Sequence, residues 1–149
     1  PAASAAIVPD VVEAPVGHVD LAKTFCQIAG IEGVRDETMF EGQVLPLSDE
    51  EGRLQQRERV MTEWESEHGP VNLALKSIYR DGLLCTVYEP GTLYDGSEGE
   101  LYNLGDDPGA LVNLWDDPAR RSLRDDLTHD LRTSLPKSKT PRLPRLAPV

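Results

Sequence analysis

From Arg59 onward, apolar and polar positions alternate along the chain, and residues with turn chemistry interrupt the alternation at short intervals. Residues 60–64 (Val-Met-Thr-Glu-Trp) predict a first strand, 73–79 a second, 83–88 a third and 101–104 a fourth. Gly69-Pro70 supplies the turn between the first two. Asp81-Gly82 is a two-residue hairpin signal between the second and third, because both residues tolerate positive φ. A loop rich in glycine and acid, 89–99, leads to the fourth strand. The period then changes from two to nearly four. Leu123, Leu127, Leu131 and Leu135 predict an amphipathic helix over 118–135 whose stripe lies on one face of the sheet. Asp117 is its N-cap, Pro118 its first residue, and Pro136 its stop. The predicted fold class is α+β: a small four-stranded antiparallel sheet packed by a C-terminal helix.

Upstream the pattern is weaker. Residues 1–19 are small and apolar without helical period and read as an extended lead-in. Asp20 then has N-cap character, and Leu21, Phe25, Ile28 and Ala29 fall on one face of a short helix that Gly30 closes. That helix is too apolar for anything near it in sequence to cover. Residues 31–58 read as a long connection, with one helical turn after Ser48, where Ser48 and Glu51 have capping-box spacing. The chain therefore divides into 1–58, a helix and connection; 59–135, the antiparallel unit; and 136–149, a basic proline-rich tail.

Charge narrows the functional classes. The net charge of −11 over 149 residues conceals an uneven split: Lys137, Lys139, Arg142 and Arg145 give the tail +4, leaving −15 on residues 1–135. A body this acidic repels phosphate backbones, so no nucleic-acid partner is expected. No apolar run approaches the roughly 20 residues of a membrane-spanning helix, so no membrane partner is expected either. Cys26 and Cys85 sit in apolar runs and read as buried free thiols, with a disulfide the alternative; without a disulfide framework the expected setting is cytoplasmic.

Candidate chemistry is sparse. There is no Gly-x-Ser-x-Gly, phosphate-cradling glycine loop or Cys-x-x-Cys. His18, His68 and His129 share no metal-ligand spacing. His18, beside Asp20, and His68, at a turn, are the candidate rim residues of a substrate cleft, and His129 belongs to the polar face of the last helix. The pairs Asp106-Asp107, Asp116-Asp117 and Asp125-Asp126 lack the alternating spacing of a calcium loop; the first two read as turn and cap residues and the third as helix surface. Glu58, Glu63, Glu65 and Glu67 read as the wet face of the first strand. Trp64 and Trp115 read as core or interface anchors.

Two motifs carry a resemblance. The first is Val16-Gly17-His18-Val19-Asp20-Leu21-Ala22-Lys23-Thr24, followed by Ile28-Ala29-Gly30-Ile31. The second is Glu100-Leu101-Tyr102-Asn103-Leu104, then Asp107-Pro108-Gly109 and Asn113-Leu114 ahead of the final helix. In this order and spacing they resemble the C-terminal part of the sulfatase family, within the alkaline-phosphatase superfamily, over roughly residues 10–135. Lys23 stands where the family usually has proline, and Asn103 where it usually has aspartate. The resemblance implies that the helix at 20–29 packs on a large α/β sheet of the family's N-terminal domain, with residues 59–135 as the smaller C-terminal subdomain.

It further implies a parent enzyme that hydrolyses sulfate esters with a formylglycine and a calcium ion. The family's Cys/Ser-x-Pro/Ala-x-Arg maturation motif and its calcium ligands map nowhere onto this chain; Cys26 is followed by Gln27-Ile28-Ala29-Gly30. The expectation is a C-terminal fragment that is inactive alone, with no catalytic or metal residue. Its partner is either the missing N-terminal catalytic domain or a second copy held through the 20–29 helix face. A phosphonate or phosphodiester hydrolase of the same superfamily, and a non-catalytic interaction module, are the alternatives.

Overall fold

The computed structural model describes residues 14–31, 42–45 and 57–135. The elements in order are α1 (Val19–Ile28), β1 (Arg59–His68), β2 (Val71–Arg80), β3 (Leu83–Tyr88), β4 (Gly99–Asn103), a single 3₁₀ turn at Pro118–Arg120, and α2 (Arg121–Ser134). The strands form one antiparallel sheet in sequence order, β1-β2-β3-β4. The fold class is α+β, as the alternation predicts. The lead-in over 1–13, the expected helical turn after Ser48 and the basic tail lie outside the described residues.

Turn chemistry sets the register. Asp81 and Gly82 have φ of 53° and 77°, the two left-handed residues that match the twist of adjoining antiparallel strands. They pair Arg80 with Leu83 and carry the ladder to Leu75 opposite Tyr88. Gly69, at φ 59°, and Pro70 make the tight turn between His68 and Val71. Both strands are longer than the alternation indicates, reaching to the turn residues themselves, because a two-residue connection lets pairing run to its edge.

The core lies between one face of the sheet and α2. Met61, Ile78, Cys85 and Leu101 form a cross-strand row, and Leu127 and Leu131 of α2 pack on it. Ile78, Cys85, Leu101, Leu127 and Leu131 are completely buried. The leucine stripe thus falls on the sheet as expected, with Leu123 and Leu135 at its margins. Trp115 closes one end. Its ring occupies the space where a Cβ on Gly99 would stand, 2.5 Å away, and its Nε1 donates to the Ser97 carbonyl at 3.1 Å. Only glycine lets the indole reach the start of β4. At the other end, Arg80 bridges Asp126 and Asp130 of α2.

Two expectations are corrected. Glu65 and Glu67 are exposed, as a wet face requires, but Glu63 is half-buried and the three do not lie on the side opposite the core. They share the side of Met61, where the row continues past the reach of α2; Glu63 lies 4.0 Å from Lys76 Nζ. The residue turned the other way is Trp64, at 53% exposed. Second, Asp20 is not the N-cap of α1. His18 holds that position, and Asp20 is inside the first turn and fully buried. Cys26 is half-buried rather than buried; it and Cys85 are free thiols.

Candidate functional site

One densely bonded polar cluster among the described residues is built around Asp20. One turn of α1 places its carboxylate over the preceding loop, where Oδ2 accepts from the Gly17 amide at 2.7 Å. Oδ1 accepts from the Gln43 amide at 2.8 Å. The Arg57 guanidinium completes the set as a two-pronged donor, Nη1 to Oδ2 at 2.5 Å and Nη2 to Oδ1 at 2.8 Å. One turn later Thr24 donates to the Asp20 carbonyl at 2.7 Å and accepts from the Leu45 amide at 2.9 Å. Burial works to raise the Asp20 pKa. Arg57 and the Gly17 and Gln43 amides overcome it and hold the carboxyl below its ordinary 3.8. The carboxylate accepts four hydrogen bonds, so the cluster fastens α1 to the chain segment entering β1. It has no spare group for chemistry.

The second cluster is the 99–115 segment. Asn113 Oδ1 accepts from the amides of Leu101 and Trp115, both at 3.0 Å, while its Nδ2 donates to the Gly99 carbonyl at 3.2 Å. The Leu114 amide donates to the Leu101 carbonyl at 2.8 Å. These bonds occupy the outer edge of β4, which would otherwise present unpaired backbone. Asp107 Oδ2 accepts from the Leu111 and Val112 amides at 2.7 and 2.9 Å, and Asp117 Oδ1 from the Ala119 amide at 2.9 Å. The acids of this stretch form turns and a cap, as their spacing indicates.

Among the described residues, no three His, Cys, Asp or Glu side chains converge to hold a metal ion, and no helix is long and apolar enough to cross a membrane. The described residues therefore offer no calcium site. Burial pushes the Cys85 thiol pKa up, with Thr128 and Arg124 acting against it, which disfavours the thiolate. Tyr88 donates to Glu100 Oε1 at 2.5 Å, and that bond, then burial, raises its pKa.

The two rim candidates stand apart. His18 is exposed at the start of α1, one residue after Gly17, where a Cβ would lie 3.3 Å from Val60 Cγ1. His68 is exposed at the far end of β1. Val60 and His68 are eight strand positions apart, on the order of 27 Å at the usual rise. The structure does not bring the two histidines to one reacting group.

Sequence reasoning missed the Asp20–Arg57 pair, and it placed Asn113 in a motif without its role at the edge of β4. The two partners of the pair are 37 positions apart with no local pattern joining them. The available signal was an aspartate amid the apolar residues of a helix, which needs a cation to be buried there.

No family model matches the chain, and no curated protein does. Solved structures do. A protein from Bacteroides thetaiotaomicron VPI-5482 described as a putative sulfatase matches with a TM-score of 0.52 and 28% identity, over 76% of this chain and 25% of its own. A 2-O GAG sulfatase matches with the same TM-score and identity, over 76% of this chain and 26% of its own. The chain therefore spans about a quarter of the length of these structures. Fold, identity and the two ordered motifs show that it is similar to sulfatases, over the C-terminal portion that the motif order indicates.

Proposed function

We propose that this chain is the C-terminal portion of a larger sulfatase-like hydrolase, and that the whole protein cleaves sulfate esters with a formylglycine and a divalent cation, calcium. The observation that carries the reading is the match to a 2-O GAG sulfatase and a putative sulfatase over three quarters of this chain and one quarter of theirs. The three quarters without a counterpart here leave room for a nucleophile and for a metal site, and the described residues hold no cluster of three or more His, Cys, Asp or Glu that could bind a metal ion. In this reading residues 1–58 finish the N-terminal domain, 59–135 form the C-terminal subdomain and 136–149 are a tail. The subdomain braces the catalytic domain and lends one wall to the substrate cleft through the 65–71 turn and the 93–99 loop. His18 and His68 serve as two separate rim contacts.

The exposed face of α1 supports the same division. Leu21, Phe25 and Ile28, which share one stripe of the helix, are 37%, 62% and 64% exposed, on a helix whose buried residues are Asp20 and Thr24. Such a face needs another surface. The test is to express the longest reading frame containing this sequence and assay it beside the 149-residue chain on a chromogenic aryl sulfate, phosphodiester and phosphonate. Turnover of the aryl sulfate by the longer protein alone is expected. Preference for the phosphodiester or phosphonate would transfer the protein to that branch of the superfamily, and a reading frame without an upstream Cys/Ser-x-Pro/Ala-x-Arg segment would overturn the catalytic reading.

A further inference from the structure

The face of the sheet turned away from α2 is too apolar to be a solvent face. Strand alternation places Val60, Trp64, Leu75, Tyr79, Leu84 and Tyr102 on it, arranged as the cross-strand rows Val60–Tyr79–Leu84–Tyr102 and Trp64–Leu75–Tyr88. Among the strand residues of that face, Glu100 is the single carboxylate, and no lysine or arginine stands there. Glu100 is already engaged by the Tyr88 hydroxyl, and the hydroxyls of Ser77 and Thr86 bond each other at 2.9 Å. The face that carries the core, by contrast, is rimmed by Arg59, Glu63, Lys76 and Arg80. An antiparallel sheet with one wet side places its charges on that side. Here the charges border the covered side, and the side turned away from α2 carries the aromatics.

We infer that this open face is an interface, and that its occupant is the remainder of the parent protein. The inference rests on the fragment reading above and extends it from α1 to the sheet. Three observations favour this occupant. The matched structures are about four times as long as the part matched here, so the missing chain is large enough to cover a four-stranded sheet. The chain carries a net charge of −11, which opposes the approach of a second copy, while this face is nearly free of charge and so suits an apolar surface on a different body. Finally, the open face adjoins the exposed stripe of α1: Gly17, which leads into α1, lies against Val60 of the first row. One surface of the missing part can rest on both.

Hydroxyl-radical footprinting of the 149-residue chain and of the longer protein tests this directly. In the chain, Trp64, at 53% exposed, is expected to oxidise readily, and the half-buried Tyr79 and Tyr102 to a measurable but smaller extent. In the longer protein, the same three lose label several-fold, while Leu111 and Val112, at 85% and 61% exposed on the β4–α2 connection, are labelled equally in both. Equal labelling of Trp64 and Tyr102 in both proteins overturns the interface. So does protection already present in the isolated chain together with a dimeric mass in sedimentation, which assigns the face to a second copy. A longer protein that protects the face yet hydrolyses no sulfate ester keeps the interface and removes the sulfatase reading. One that hydrolyses sulfate esters with Trp64 unprotected does the reverse. A source protein whose intact mass is that of this chain, 16.4 kDa, overturns both.

Discussion

The two helices of this chain bury opposite things. α2 buries Leu127 and Leu131 against Ile78, Cys85 and Leu101 and turns Asp125 and His129 to water. α1 buries Asp20 and Thr24 and turns Phe25 and Ile28 to water. Both are amphipathic, so the pattern in each sequence is equally helical; what differs is which stripe meets the rest of the described chain. α2 is held by apolar contact, which is non-directional and tolerant of small shifts. α1 is held by a carboxylate with four donors around it, which fixes an angle and a position. A helix fastened by its polar side keeps its apolar side available, and that availability is what the fragment reading uses.

The comparison is broken most severely by Arg57→Ala. Removing one partner of a buried ion pair costs about 3–5 kcal/mol, because the remaining charge stays desolvated. Here the loss is expected in the attachment of α1 and not in the sheet. Hydrogen exchange should accelerate across residues 19–28 while the amides of Ile78 and Cys85 keep their protection. Uniform acceleration would show that the two regions form one cooperative unit. The same contrast is expected in pH. Asp20 titrates below 3.8, so its contribution is present above the ordinary carboxylate pKa and disappears as pH falls through the lower, folded value. Protection of α1 should hold from pH 7 to 5 and fail only below about 4.

Leu127→Ala reverses the test. Its side chain is completely buried under the sheet, and a Leu→Ala cavity of this kind costs about 2–5 kcal/mol. Urea unfolding followed by Trp115 fluorescence should shift by that amount, and the footprint of the open face should not change. A cost below about 1 kcal/mol would mean that α2 re-seats easily and is not the clamp of the core.

Much of the sheet and α2 was legible because their instructions are local. Asp81-Gly82, Gly69-Pro70 and the four-residue leucine period each act within a few positions, and the structure follows all three. α1 was legible as a helix, but its attachment was not. Asp20 finds Arg57 and Gln43 only after the intervening chain has folded back. The glutamates of β1 misled for a related reason. Alternation says that Glu63, Glu65 and Glu67 share a face, but which face carries the core depends on where a helix sixty residues later ends. Asn113 looked like part of a motif and proved to be a surrogate strand edge.

Gly99→Ala probes a smaller difference within the sheet. The new methyl would meet Trp115 ring carbons at 2.5 Å and the Thr86 carbonyl at 2.6 Å. Overpacking of this sort costs about 1–3 kcal/mol, and the indole is the group that must move. The expected readout is a red-shifted Trp115 emission with a lowered urea midpoint. An unchanged spectrum would mean that β4 shifts instead.

The smallest expected effect concerns Asn103, the position where sulfatases usually carry aspartate. Its Oδ1 accepts from the Gly105 amide at 3.1 Å, and its Nδ2 donates to Asp106 Oδ2 at 2.7 Å. Asparagine is thus matched to the acid three residues on. Asn103→Asp keeps the acceptor, loses the donor and sets two carboxylates side by side in an exposed turn. In water such a pair costs no more than about 1 kcal/mol, and added salt screens it. The urea midpoint should fall slightly at low ionic strength and recover in high salt. Because the turn lies on the sheet side of the molecule, exchange in α1 should be untouched; a change there would join the two regions that Arg57→Ala is expected to separate.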